Sequence, residues 1–281
     1  MAVDYALIGH VTADLTPDGR KLGGTVSYAA RTAHAFGLKV GLLTSVPADD
    51  LLLGEVKPYV SDLVNIPSSE TTTYENVYSA VGRTQYVRAT AGRITRRALP
   101  RAFREAPLVH LAPIAGEYEP GALCAAFPKA RVLLTLQGML RAWGADGRVR
   151  FKRWMDVAAL KRIDVVVFSE EDIAEAPELE REMVGFCRRV VVTRAERGGT
   201  IYLDGEARDY PTPAVEVVNP TGAGDVFAAG LLAAWHFLGD FELAVSVAAS
   251  LGARAVTRNL LDGAPTAAEV KSALRMAQGI R

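Results

Sequence analysis

Short, nearly continuous runs of aliphatic and β-branched residues recur along the chain, separated by longer stretches rich in alanine and leucine. This alternation is the pattern of parallel strands joined by crossover helices, and it confines the chain to an α/β architecture whose sheet is covered on both faces. The predicted strands are 5–8, 40–44, 108–111, 132–136, 165–168 and 190–193. The predicted helices are 26–36, 120–127, a stretch after Asp172, 226–238 and 243–256. The last two carry mostly small side chains and are expected to pack closely.

Two segments break the alternation. Residues 71–95 are rich in Thr, Tyr and Val with period-two stretches and glycine punctuation, which predicts a β-hairpin or small antiparallel sheet. Residues 14–22, with Pro17, Asp18 and Gly19 at their centre, predict a tight turn between extended pieces. There is no repeat, low-complexity tract or Pro/Ser-rich linker. The expectation is one domain over 1–281 with two inserted lid segments, about 11–22 and 70–97.

A chain of 281 residues is long enough to bury a sizeable core, and its 32 basic and 32 acidic residues cancel. Zero net charge excludes a general binder of nucleic acid or of an anionic membrane surface, so any anion must be met locally. Cys124 and Cys187 have no His or Cys at ligand spacing and read as buried free thiols. The first residues lack the basic and apolar regions of a secretory signal, and the apolar run 226–239 is too short to span a bilayer. A cytoplasmic location is expected.

The stretch from Val217 to Gly230, VVNPTGAGDVFAAG, carries the chemistry. A polar turn leads through Gly222, Ala223 and Gly224 straight into an alanine-rich helix, which predicts an open helix N-terminus offering backbone N–H groups to an anion. Asp225 falls in the first turn. It either stabilises the helix end or accepts the proton of a hydroxyl attacking a phosphoryl group. No GxxxxGK[ST] and no Gly-Lys pair occurs, which excludes a Walker-type NTPase, and Phe227 stands where a dinucleotide fingerprint needs its third glycine.

Together with LGGTVSYAARTAHAFG from Leu22 to Gly37, the NPTGAGDVFAAG motif makes the chain resemble the ribokinase-like carbohydrate kinases, the phosphofructokinase-B family. The likeness runs through the whole chain. The resemblance implies a three-layer α/β/α sandwich with a small β-sheet lid, and transfer of the γ-phosphoryl group of ATP, with Mg²⁺, to a hydroxyl of a sugar, sugar acid, inositol or nucleoside. It implies Asp225 as catalytic base, with the N–H groups of 222–225 as the anion hole. Asp14 would hold substrate hydroxyls, and Gly23 and Gly24 would let substrate approach the backbone. Ser169 and Asp172 fall at an Asn-x-x-Glu motif tied to Mg²⁺ through water. Thr193, Gly198 and Thr221 would line the nucleotide. A homodimer through the lid is also implied.

The chain departs from the family pattern at several positions. Ser169 and Asp172 replace Asn and Glu, Asn219 replaces an Asp linked in some members to a monovalent cation, and Ala195 replaces a glycine. Tyr28 stands where ribokinase itself has a substrate-binding Asn, and a phenol cannot copy an amide's paired donor and acceptor. Ribose is therefore a poor fit. These departures motivate a second reading, a non-catalytic nucleotide or polyol sensor of the same fold. Retention of Asp225 speaks against it.

Seven arginines lie between Arg83 and Arg104 with no acid among them. Most read as a solvated face, but Arg83, in the proposed lid, is a candidate substrate contact. Gln137 and Arg141 follow a strand at the carboxyl end, where open α/β sheets bind ligands, and are candidate substrate contacts too. Tyr74, Tyr78 and Tyr86 suggest stacking walls. His10 either lines the pocket or makes a structural hydrogen bond.

Overall fold

The computed structural model describes residues 2–79 and 82–280, with the side chains of 78, 79, 82 and 83 outside the description. The strands, in chain order, are β1 (Tyr5–Ile8), β2 (Thr12–Thr16), β3 (Gly19–Gly23), β4 (Val40–Val46) and β5 (Asp62–Pro67). They continue with β6 (Thr72–Ser79), β7 (Gly82–Ala89), β8 (Leu108–Leu111), β9 (Arg131–Thr135) and β10 (Arg141–Trp143). The last are β11 (Val149–Phe151), β12 (Val165–Ser169), β13 (Arg189–Thr193), β14 (Gly199–Leu203) and β15 (Glu206–Tyr210).

Nine of them form one sheet in the order β15-β14-β13-β12-β9-β8-β1-β4-β5. The strands from β13 to β5 run parallel, and β14 and β15 extend the sheet antiparallel at one edge. Alternate residues of each central strand face opposite layers. Leu7, Leu42, Leu133 and Val191 pack into one apolar cluster with the helices Thr25–Ala35, Ala223–Leu238 and Phe241–Ala255. Ile8, Leu43, Leu134 and Val192 pack into the other, against Phe103, Leu123, Leu160 and Met183. Burial on both faces is why these strands read as unbroken apolar runs, and the three-layer α/β/α body is as expected.

The helices Ala223–Leu238 and Phe241–Ala255 approach closely because their facing positions carry no bulk: a Cβ on Gly230 would stand 3.4 Å from Leu251, and one on Gly252 3.4 Å from the Ala223 carbonyl oxygen. Cys124 and Cys187 are buried free thiols.

A separate four-stranded sheet, in the order β3-β2-β6-β7, joins the two irregular segments. Strands β2 and β3 form the hairpin expected from the Pro-Asp-Gly turn, and β6 and β7 the second, with β2 parallel to β6 between them. The second hairpin ends at Ala89, so residues 90–95, which the sequence placed in it, carry no strand; a short 3₁₀ turn, Arg96–Ala98, follows. Among the described residues no helix is long and apolar enough to cross a membrane.

Candidate active site

The helix Ala223–Leu238 starts as the motif requires. Gly222 is its N-cap with φ +84, a left-handed conformation that a side chain resists. No side chain caps this end, so the N–H groups of the first turn face outward. The Ala223 N–H makes only a long turn bond, 3.4 Å, to the Pro220 carbonyl, and Asn219 folds its side-chain oxygen onto the Thr221 N–H at 2.9 Å. Gly222 also has to be bare for packing. A Cβ there would fall 2.1 Å from the ring of Tyr28, which reaches over from the helix Thr25–Ala35.

Asp225 stands in the first turn, half-buried. Burial pushes its carboxyl up to about 6; the Thr25 hydroxyl and the Arg141 guanidinium pull it down, while the Asp172 and Asp14 carboxylates push it up. Asp14, on β2, is likewise pushed up to about 6 by burial and pulled down by Arg141. Burial also drives the Tyr28 hydroxyl far up, with added contributions from Asp225 and Asp14. The two carboxylates, Tyr28 and Arg141 therefore share one electrostatic site. Arg141 begins β10 and lies over the Tyr74 ring at 5.7 Å, and the Tyr74 hydroxyl donates to the Ile114 carbonyl at 2.7 Å.

The paired glycines shape the same site. A Cβ on Gly23 would meet an Asp14 carboxylate oxygen at 2.3 Å, and one on Gly24, at φ +84, would meet the His10 carbonyl and the Thr12 hydroxyl at 3.0 Å. Two polar groups here escaped the reading of the sequence. The hydroxyls of Thr12 and Thr25 are buried; that of Thr12 has no hydrogen-bond partner, and that of Thr25 lies at the Asp225 carboxyl, whose pKa it lowers. Their only signal in sequence is position, two hydroxyl residues flanking the Asp14 hairpin, one of them directly after Gly23 and Gly24. Buried polar groups are rarely left unpaired, so the Thr12 hydroxyl is available to a bound molecule.

Ser169 and Asp172, whose carboxylate also acts on Asp225, close on each other. The Ser169 N–H and hydroxyl donate to Asp172 Oδ2 at 2.9 and 2.7 Å, and the Asp172 N–H returns to the Ser169 hydroxyl oxygen at 3.1 Å. Ser169 pairs with Thr193 where β12 and β13 end side by side. Ala195 keeps a left-handed φ of +50 despite its side chain, and Gly198, at φ +81, passes so near Tyr210 that a Cβ would fall 2.0 Å from its carbonyl oxygen. Among the described residues no group of three His, Cys, Asp or Glu side chains converges as a metal cage.

Gln137, half-buried, opens a 3₁₀ turn after β9, leading into Arg141. The side chains of Arg83 and Tyr78 lie outside the described residues. Arg88, Arg93 and Arg101 pair with Glu75, Glu119 and Glu105 near the surface, as a solvated face would. His10 is structural. It is fully buried, its Nδ1 accepts from the Thr72 hydroxyl at 2.8 Å and its Nε2–H donates to the Gly92 carbonyl at 2.9 Å; this tautomer follows because a carbonyl can only accept.

Comparison with known proteins bears on the family and the fold. Residues 158–266 match the family model described as pfkB family carbohydrate kinase. A cytidine kinase of Thermococcus kodakarensis is 28% identical over 265 residues, covering 83% of this chain and 88% of that protein. An inositol 3-kinase of Zea mays is 37% identical over 122 residues, 43% of this chain and 32% of that protein. Among solved structures, a pyrophosphate-dependent kinase in the ribokinase family, complexed with a pyrophosphate analogue and myo-inositol, superposes with a TM-score of 0.79 at 22% identity, covering 95% of this chain and 99% of that one.

Proposed function

We propose that this chain, which belongs to the pfkB family of carbohydrate kinases and has the ribokinase-like fold, transfers the γ-phosphoryl group of ATP to a hydroxyl of a ring polyol such as an inositol, a sugar or a nucleoside. The observation that carries this reading is the Asp225 carboxylate held in the first turn of an uncapped helix N-terminus, within the electrostatic reach of Asp14 and Arg141.

Asp14 and Arg141 orient the acceptor's hydroxyls over Gly23 and Gly24, beside Tyr28, and Gln137 extends the acceptor side. The attacking hydroxyl points at Asp225, which takes its proton as the new O–P bond forms. The bond between the γ-phosphorus and the bridging oxygen breaks, its electron pair leaving on ADP. The N–H groups of Gly222, Ala223, Gly224 and Asp225 meet the charge on the transferred group, aided by the helix dipole. A carboxylate whose pKa sits near 6 is mostly ionised at neutral pH yet basic enough to accept a proton.

The nucleotide runs over Ser169, Thr193, Gly198 and Thr221. Val217 and Val218, 58% and 55% exposed and pinned by hydrogen bonds from Val218 and Asn219 to the Val256 carbonyl, give its base an apolar wall beside the anion hole. Asp172 fits a Mg²⁺ carried in by phosphates, since that ion takes one or two carboxylates and keeps its waters. Bound there, the metal would neutralise phosphate charge. The small sheet β3-β2-β6-β7 acts as the lid of a single domain, and its edge strands offer a pairing surface for a second copy.

Replacing Asp225 by Asn tests the assignment. With a panel of inositols, sugars and nucleosides as acceptors, ADP release by the wild type is expected for at least one, and the variant should lose about 10³-fold or more in kcat. Near-normal turnover in the variant sinks the role of Asp225. The engagement of Asp172 with Ser169 favours the sensor as the second reading; polyol binding with no ADP release from the wild type would support it.

A further inference from the structure

We propose that Glu170 selects the phosphoryl donor: by neutralising Arg194 and Arg197 it denies inorganic pyrophosphate the cations it needs and leaves the site to a nucleotide. The inference rests on the kinase reading given above. In-line transfer puts donor and acceptor on opposite sides of the moving phosphorus. The acceptor side is marked by Asp14, on the strand that follows β1. The donor therefore extends the other way, over the ends of β12 and β13, which lie three and four places from β1 in the sheet. The helix that begins at Ala223 packs against β9 and β12, and Asp172 follows the end of β12, so these strand ends adjoin the anion hole.

Two arginines follow β13, and neither is free. Arg194 Nη1 reaches Glu170 at 3.3 Å and its Nη2 reaches Glu180 at 2.7 Å, while Arg197 also pairs with Glu170. Glu180 is itself held by the Tyr202 hydroxyl at 2.6 Å. The Glu170 backbone is fixed as well, its N–H bonded to the Thr193 carbonyl at 3.0 Å. One carboxylate thus clasps both guanidinium groups across the gap between two strand ends. Counting segments 169–172 and 193–198 together, four acids face two bases. Pyrophosphate has only its phosphate charges to bind with, and here it meets neutral pairs and surplus acid. A nucleoside triphosphate has a base and a ribose besides, and its affinity depends less on free arginines.

Calorimetric titration in Mg²⁺ separates the possibilities without knowledge of the acceptor, using pyrophosphate and the non-hydrolysable ATP analogue AMP-PNP as probes. Wild type should bind AMP-PNP more tightly than pyrophosphate. Glu170→Gln frees Arg197 and one arm of Arg194 and should tighten pyrophosphate about tenfold, the scale of one charge-assisted hydrogen bond, with AMP-PNP shifted much less. Adding Arg197→Gln to that variant should restore weak pyrophosphate binding. If AMP-PNP binds the wild type but Glu170→Gln leaves the ratio of the two affinities unchanged, or the double variant keeps the gain, the clasp does not select the donor and the kinase reading stands. If the wild type binds pyrophosphate as tightly as AMP-PNP, the clasp is overturned in the same way. If it binds neither probe, the kinase reading fails and the clasp with it.

Discussion

The Tyr28 ring lies against Gly222 with no room between them: a Cβ on residue 222 would stand 2.1 Å from Tyr28 Cε1. In the proposed reaction the residue that walls the acceptor pocket is thus also the support under the first turn of the helix that begins at Ala223. On that proposal, acceptor side and anion hole meet at this contact.

Gly222→Ala should therefore fail twice. A side chain at φ +84 costs about 1–2 kcal/mol by itself, and the methyl would push Tyr28 or the helix start out of place. The expected result is a fall in kcat of about 10²-fold or more, the scale of losing one oxyanion donor. Steady-state kinetics and a melting curve on the same preparation check both parts.

The rate should follow the ionisation of Asp225. With its carboxyl at about 6, kcat/KM is expected to fall as pH drops through that value and to level off above it. Thr25 pulls this pKa down, so Thr25→Val should move the acid limb to higher pH. A limb that stays put or moves lower would rule out Thr25 as a neighbour that tunes the base.

Both pocket acids hold their proton more tightly folded than unfolded, since about 6 exceeds the ordinary 3.8. The folded chain therefore loses stability relative to the unfolded one as pH rises from 3.8 to 6, and the loss is complete above 6. Asp225→Asn should stabilise the fold at pH 7.5 by on the order of 2 kcal/mol while removing activity. The gain should vanish below pH 4. Denaturant titrations at the two pH values measure it.

His10→Ala should cost about 2–4 kcal/mol, because it strips partners from the buried Thr72 hydroxyl and from the Gly92 carbonyl at once. The drop in urea midpoint gives the number. A loss under 0.5 kcal/mol would mean that water replaces the imidazole.

The central strands were legible because each is covered on both faces, and an apolar run such as Val165–Ser169 admits few other readings. The edges were not. Strand β15, EARDY, is exposed at four of its five positions, and β5 is half-buried, so neither shows an apolar run. Within the site, Gly222, Asp225, Gly23 and Asp14 stood out through motif and backbone need. The Glu170 clasp did not, because its partners lie 24 and 27 residues away and meet only when β12 and β13 align. Thr25 was hidden differently. After two glycines a threonine looks like an ordinary helix start, and only its buried place beside Asp225 sets it apart.

The two hydrogen bonds of His10 also have a mechanical meaning. Thr72 opens the β6–β7 hairpin and Gly92 lies just past its close, so a single imbedded ring ties both feet of that insert to the end of β1. A flap hinged on two separate posts can twist or slide as well as swing. With its feet tied at one buried point, the hairpin Thr72–Ala89 keeps its base in register with the end of β1.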